Sequence, residues 1–197
     1  MLPQSSEDSH GTDCAGIIAA RGGNAKCGVG IARNITLSAI RLQLSATNDL
    51  QEAAAFSYGL QAMDVYSISW GPDDDGDALS GPGELTNRSL AMSTIKGRQG
   101  KGAIYVMASG NGGPEDGCNF DGYANSPYGI AVSAVSGKGT SPNYAEPCAA
   151  ALTSAYSSLS ADLALMAIVS FLVLLSSVNK RALRKKVGDH PSRQHVQ

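Results

Sequence analysis

"GAIYVMASGNGG", residues 102–113, joins a short apolar run to a glycine-rich turn. The run has the length and composition of a buried strand, and the glycines suit a tight loop with close backbone approach. "VYSISW", residues 65–70, is a second apolar run, and it ends in the turn "GPDDDGD", residues 71–77. Both stretches are typical of α/β proteins, in which functional loops follow the carboxyl ends of buried strands.

Helical patterns separate these strands. Asp49, with Glu52 three residues later, has the spacing of a capping box, so we expect Asp49 to be an N-cap. Because parallel neighbours need long crossover connections, the alternation predicts a parallel sheet flanked by helices. The predicted helices are 10–20, 47–63 and 83–96, the last stopping at Gly97, and the further predicted strands are 34–42 and 128–135.

Composition limits the class of protein. The 197 residues are 43% hydrophobic and 16% charged, which suits one globular domain with a core and excludes wholesale disorder. A formal net charge of −2 gives no reason to expect a nucleic-acid partner. The four cysteines form no Cys-X-X-Cys pair and have no zinc-ligand spacing with the three histidines, so zinc is not expected.

The sequence changes character after Tyr156. Residues 159–178 are apolar apart from Asp162 and several serines, and the basic run "NKRALRKK" follows directly. A helix of this length reaches about 30 Å, enough to cross a bilayer core. A buried core helix and a membrane span both remain possible, and the basic cluster favours the span. The expected division is a globular domain (1–157), a transmembrane helix (158–178) and a basic cytoplasmic tail (179–197).

Two further features concern cellular targeting. Asn34-Ile35-Thr36 and Asn87-Arg88-Ser89 are N-glycosylation acceptor triplets, which are compatible with a secretory route. Residues 1–10, "MLPQSSEDSH", have neither the basic nor the apolar region of a signal peptide. We therefore expect entry into the secretory pathway to depend on another segment.

"DSHGTDCAG", residues 8–16, places His10 before a Gly-Thr pair at the start of a predicted helix. A lone histidine there is more often structural than catalytic. However, "HGTDCAG", "SWGP" and "ASGNGG" follow one another inside a βαβ pattern, and "CNFDGYANS" and "YAEPC" come later. Over residues 5–157 the sequence resembles subtilisin-like serine proteases, and within them the kexin/furin proprotein convertases. The motifs "SWGPDDDG", "GRQG" and "YAEPC" are most similar to those of the type 7 convertase. The implied fold is an incomplete subtilisin-like parallel sheet flanked by helices, with a C-terminal hydrophobic helix.

The resemblance implies catalytic and substrate-binding roles. A histidine can accept the proton of a serine hydroxyl near neutral pH, and a side-chain amide can stabilise the developing oxyanion. An edge segment can pair with an extended substrate backbone, and carboxylates can bind the basic side chain of the substrate. The implied residues are His10 as base, Asn111 as oxyanion donor, Ser69, Trp70, Gly71 and Pro72 as edge segment, and Asp74 and Asp121 for lysine or arginine.

The resemblance also implies calcium as cofactor and one disulfide. The first calcium site would use Asp74, Asp116 and Glu146, whose oxygens are hard ligands. A second would use the loop "RGGNAKCGVG", at Arg21, Asn24, Lys26 and Gly28, although its upstream aspartate is not found. Cys118 and Cys148 would pair, Cys14 would lie beside the histidine, and the partner of Cys27 is not found.

The other two members of the catalytic triad are not recognisable in this sequence. No aspartate motif precedes His10, and no "GTSAxAP" block follows "YAEPC"; Gly139-Thr140-Ser141-Pro142 is interpreted as a surface loop. We therefore expect a truncated, calcium-dependent endopeptidase domain of the type that cleaves after paired basic residues, inactive as written. The alternative is a membrane-anchored, non-catalytic module that binds basic peptides or an intact convertase. Either would lie in a secretory-pathway membrane, at the Golgi or cell surface, with a single span.

Overall fold

A computed structural model describes residues 10–25, 28–32, 34–42 and 47–157. The chain divides into two compact units after Ser38. In the first unit, helix α1 (His10–Ala19) is followed by the glycine loop. Past that loop the backbone N–H groups of Ile31 and Ala32 donate to carbonyls in the last turns of α1, at 3.1 and 2.9 Å. The loop therefore returns the chain to the carboxyl end of its own helix.

The second unit contains a four-stranded parallel sheet. Its strands lie side by side in chain order: β1 (Val65–Ile68), β2 (Ile104–Ala108), β3 (Ile130–Ser136) and β4 (Ala151–Ser157). Helix α2 (Asp49–Ser57) precedes β1, and helix α3 (Glu84–Gly100) connects β1 to β2. The predicted parallel sheet with flanking helices is thus confirmed.

The core lies between these two helices and the first two strands. Phe56 of α2 and Leu90 of α3 are buried against Tyr66 of β1 and Tyr105 of β2. The ring centroids of Phe56 and Tyr105 are 5.7 Å apart, and those of Tyr66 and Tyr105 are 4.8 Å apart. The Tyr105 hydroxyl donates a hydrogen bond to the Phe56 carbonyl, so its polar end is satisfied inside the core. This packing fixes the ends of β1 and β2, from which the site loops start.

The predicted N-cap of α2 is wrong by one residue. Asn48 is the cap, because its side chain accepts from the Gln51 N–H while Gln51 Oε1 accepts from the Asn48 N–H, both at 3.0 Å. The carboxylate of Asp49 instead accepts the N–H groups of Leu85 and Thr86, at 2.9 and 2.8 Å. Asp49 therefore caps α3, whose own N-cap, Gly83, has no side chain to do so.

Two strand assignments also differ from the sequence prediction. Residues 34–42 were predicted as a strand, but the structure assigns them no strand, and no ladder among the described residues includes them. Ile35, Leu37 and Ile40 are each about two-fifths exposed. Conversely β4 was not predicted, since Thr153 is its only β-branched residue. Pairing with β3 makes it a strand despite its composition.

The connections between strands are partly irregular. Within the described residues, only the crossover from β1 to β2 contains an α-helix; 109–129, which includes a 3₁₀ turn at Gly113–Glu115, and 137–150 are loops. Helical backbone geometry in α3 stops at Gly97, as predicted, and Arg98 and Gln99 then adopt φ values of 51° and 58°.

The predicted membrane span, 159–178, lies outside the described residues. No helix in the described part of the chain is both long enough and apolar enough to cross a bilayer.

Candidate functional site

The site is built where β1 and β2 end. Because the two strands are parallel and paired from Val65 opposite Ile104 to Ile68 opposite Met107, the loops that follow them leave the same edge of the sheet. Asp74 lies in the first loop and Asn111 in the second. The backbone N–H of Asn111 donates to Asp74 Oδ2 at 3.2 Å, which joins the two loops directly.

Three carboxylates converge here, from the loops that follow β1, β2 and β3. One oxygen from each of Asp74, Asp116 and Glu146 lies within 4.8 Å of the others. Backbone donors orient the other two carboxylates as well: the Gly112 N–H donates to Glu146 Oε1 at 2.9 Å, and the Gly117 N–H donates to Asp116 Oδ1 at 2.6 Å. Asp74 is exposed and Glu146 is buried, so the cluster reaches from the surface into the protein.

The electrostatics of the cluster favour a bound cation. Burial, followed by the negative charges of Asp116 and Asp74, raises the pKa of Glu146 to about 7. Carboxylate oxygens are the ligands that calcium prefers, and this ion accepts flexible geometry. The donor set and its mutual repulsion therefore fit calcium, and a bound ion would remove the repulsion.

Asp121 forms part of the same pocket. Its Oδ1 accepts the N–H groups of Tyr123 and Ala124, at 2.6 and 3.2 Å. Burial, with a smaller contribution from Asp74 and Asp116, nevertheless raises the pKa of Asp121. No lysine or arginine is among the described residues that line the pocket, so its charge is uncompensated. The lining consists of Pro72, Asp73, Asp74, Ala78, Asp116, Gly117, Phe120, Asp121 and Glu146.

Two glycines permit the close approach of these carboxylates. A Cβ at Gly71 would lie 2.8 Å from Asp121 Oδ2. Gly110 has a φ of 97°, and a Cβ there would overlap the Glu146 carboxylate. Gly110 therefore needs to be glycine because of both its φ and the space, whereas a side chain at Gly71 would force the Asp121 carboxylate to shift.

Trp70 anchors the edge segment 69–72. Trp70 packs edge-on against Tyr123, with ring centroids 5.1 Å apart, and lies 6.0 Å from the Phe56 ring. Gly71 is exposed beside it. The Tyr123 hydroxyl donates to Glu52 Oε2 at 2.6 Å. Sequence reasoning missed this Glu52–Tyr123 pair, because it assigned Glu52 to helix capping and no local pattern links residues so distant in sequence.

A disulfide joins the two loops that carry the deeper carboxylates. Cys118 and Cys148 are bonded, with their Cα atoms 5.0 Å apart. Cys118 follows Asp116 and Cys148 follows Glu146, so this cross-link restricts the separation of the two acids.

The remaining implied residues lie in the first unit. His10 is the exposed first residue of α1, and its Nε2 is 3.8 Å from Cys14 Sγ one helical turn later. Arg21, Asn24 and Gly28 lie in the exposed glycine loop, whereas Lys26 lies outside the described residues. The role of His10 and the second calcium site remain predictions.

Comparison with known proteins identifies the family. The Subtilase family, peptidase S8, matches residues 3–180. The chain is a subtilase. It is 48% identical over 161 residues to kexin of Saccharomyces cerevisiae, a match that covers 81% of this subtilase and 20% of the relative. It is 48% identical over 158 residues to the dibasic-processing endoprotease of Schizosaccharomyces pombe, covering 80% and 22%.

The same branch includes an insect relative. Furin-like protease 1, isoform 1-CRR, of Drosophila melanogaster is 47% identical over 150 residues, covering 76% of this subtilase and 14% of the relative. This subtilase therefore belongs to the kexin/furin group, and it spans about a fifth of the length of its yeast relatives. Among solved structures, the protease domain of PatA (S218A mutant) has a TM-score of 0.55 at 18% identity, covering 89% of this chain and 64% of that one. At that identity the likeness concerns the fold alone.

Proposed function

We propose that this kexin-like chain forms part of a calcium-dependent serine endopeptidase that processes proproteins after paired basic residues. One observation carries the proposal: five acidic residues line a pocket beside the edge segment, without a compensating base among its described lining residues. One of the relatives is named for processing at dibasic sites, which agrees with an acidic pocket.

Asp74 and Asp121 are proposed to bind the basic side chain of the substrate. Asp121 and Asp74 would accept the guanidinium or ammonium group of the substrate, since charge-assisted hydrogen bonds are about twice as strong as neutral ones. Asp74 also holds the backbone of Asn111. A basic side chain in the pocket would therefore lie close to the residue proposed as oxyanion donor, whose loss typically costs about 10²–10³ in turnover.

Asp74, Asp116 and Glu146 would hold the calcium ion. The ion supplies positive charge that neutralises the cluster. The backbone donors Gly112 and Gly117 would keep two of the carboxylates oriented whether or not the ion is bound. We propose that this cation controls the order of the loops after β1, β2 and β3, because each contributes one carboxylate to the cluster. The disulfide already connects the loops that carry Asp116 and Glu146.

We further propose that a polypeptide of these 197 residues is inactive by itself. His10 is proposed as the base, but neither the aspartate nor the serine of the triad is recognisable. Without a nucleophile, only binding and the oxyanion donor would contribute to rate. Incubation with a fluorogenic Arg-X-X-Arg peptide and calcium should give no turnover above buffer. Turnover that His10→Ala abolishes would contradict this part of the proposal.

A second candidate is a membrane-anchored, non-catalytic module that binds basic peptides or an intact convertase, resident in a secretory-pathway membrane. The apolar segment 159–178 with its basic flank supports it. Resistance of the translated chain to alkaline extraction from microsomes is the expected result. Release of all the chain by alkali would count against the anchor but would leave the pocket proposal standing.

The pocket proposal is tested by charge-selective binding. A labelled peptide with paired arginines should show calcium-dependent fluorescence anisotropy, and the same peptide with citrulline should not, because citrulline keeps the shape and loses the charge. Asp121→Asn should abolish the difference, whereas Asp77→Asn, at an exposed acid in the turn that carries Asp74, should keep it. Equal binding of the arginine and citrulline peptides would refute the assignment.

A further inference from the structure

The two N-glycosylation triplets occupy different backbone environments. Asn34 is exposed, has a φ of 61°, and precedes residues 35–40, which belong to no helix or strand. Asn87 lies in the first turn of α3, with its N–H bonded to the Gly83 carbonyl at 2.9 Å. The hydroxyl of Ser89 donates to the Ala53 carbonyl of α2 at 2.9 Å.

This difference bears on which asparagine can be modified. Glycan transfer uses the asparagine amide together with the hydroxyl two residues later, and acceptor triplets are expected in surface loops. Residues i and i+2 do not face each other on a helix, so α3 separates Asn87 from Ser89. In an irregular segment the backbone can bring the two side chains together, and asparagine readily adopts a positive φ in such turns. Thr36, the hydroxyl residue of the first triplet, is exposed.

We propose that Asn34 is an N-glycan acceptor and that folding of α3 withdraws Asn87 from modification. In the reaction, Asn34 Nδ2 attacks the anomeric carbon of an oligosaccharide carried on a lipid diphosphate. The new C–N bond replaces the C–O bond to the diphosphate, which leaves with its lipid, and the amide proton passes to a base of the transferase. The attached glycan would lie beside Ile35, whose side chain is 40% exposed, and would shield it from contact with other molecules.

The test uses the full chain behind a cleavable signal sequence, translated with microsomes, so that targeting does not depend on the proposed location. Only chains protected from added protease are scored, which confirms translocation. We expect one glycosidase-sensitive mass increment. Asn34→Gln and Thr36→Ala should lose it, whereas Thr36→Ser and Asn87→Gln should keep it.

Three outcomes would overturn the proposal: protected chains without a glycan, a single increment that Asn87→Gln removes, or two increments. Loss of the increment in both Asn34→Gln and Thr36→Ala, with retention in Thr36→Ser, cannot arise from misfolding of one variant alone. The result is independent of calcium and of peptide binding, so it leaves the proposed protease function untouched in either direction.

Discussion

Replacing Glu146 with glutamine should have opposite effects with and without calcium. In the folded protein the pKa of Glu146 is raised from 4.5 to about 7, chiefly by burial and then by Asp116 and Asp74. A raised carboxyl pKa means that folding favours the protonated form, so stability is lost as pH rises from 4.5 through about 7. At pH 8 the full shift corresponds to a loss of about 3 kcal/mol in the free energy of unfolding. Asp74 is exposed, so water reaches the cluster and screens the repulsion between its charges. We therefore expect the loss of stability to be about 1–2 kcal/mol.

Glu146→Gln should therefore stabilise the calcium-free protein by that amount at pH 8, and the gain should vanish below pH 4.5. Calcium at about 100 times its Kd should stabilise the unmodified protein by about 2.7 kcal/mol, and the variant should lose this response. Urea unfolding followed by fluorescence of Trp70, the single tryptophan, measures both effects. Glu115→Gln, an exposed neighbour of the cluster, is the matched control. A variant that is less stable without calcium, or that keeps the calcium response, would refute the reasoning.

Three other predictions concern the framework around the site. Replacing Cys118 and Cys148 with serine should lower the free energy of unfolding by about 3–4 kcal/mol, because the bond closes a loop of 30 residues; a loss below 1 kcal/mol in urea titrations would contradict this. The N–H groups of α3 lower the pKa of Asp49, so the folded state favours the charged carboxylate. The unmodified protein should therefore be more stable than Asp49→Asn above pH 3.8, and this difference should disappear as pH falls below that value. A difference that grows in acid would be contrary evidence. Gln99→Gly should raise the free energy of unfolding by about 0.5–1 kcal/mol, because Gln99 has a positive φ that glycine adopts without strain. The control, Lys101→Gly, should lower it, because Lys101 has an ordinary φ of −82°. Equal effects of the two substitutions would show that backbone strain is not the cause.

The sequence was sufficient for the features that depend on local pattern. Short apolar runs predicted β1, β2 and β3, because buried parallel strands are recognisable by composition and flanking glycines. The loops after β1 and β2 could be placed at one edge of the sheet from their chain order alone. That placement puts the loops that carry Asp74 and Asn111 at the same edge, and the structure brings these two residues into hydrogen-bond contact.

Features that depend on pairing between distant segments could not be predicted. Residues 34–42 have the alternation of a strand, but a strand requires a neighbour, and the structure gives them none among the described residues. The cap of α3 comes from Asp49, 36 residues before Leu85, so no local motif could show it. The bond between Glu52 and Tyr123 likewise joins residues 71 positions apart.

Isothermal titration of a peptide with paired arginines, in the presence and absence of calcium, tests the central claim most directly. If the acidic pocket requires a cation to hold its shape, the peptide should bind weakly and only with calcium, because the calcium-free cluster must overcome its own repulsion. Asp121→Asn should abolish that binding. Tight binding without calcium that Asp121→Asn leaves unchanged would contradict the assignment of this pocket.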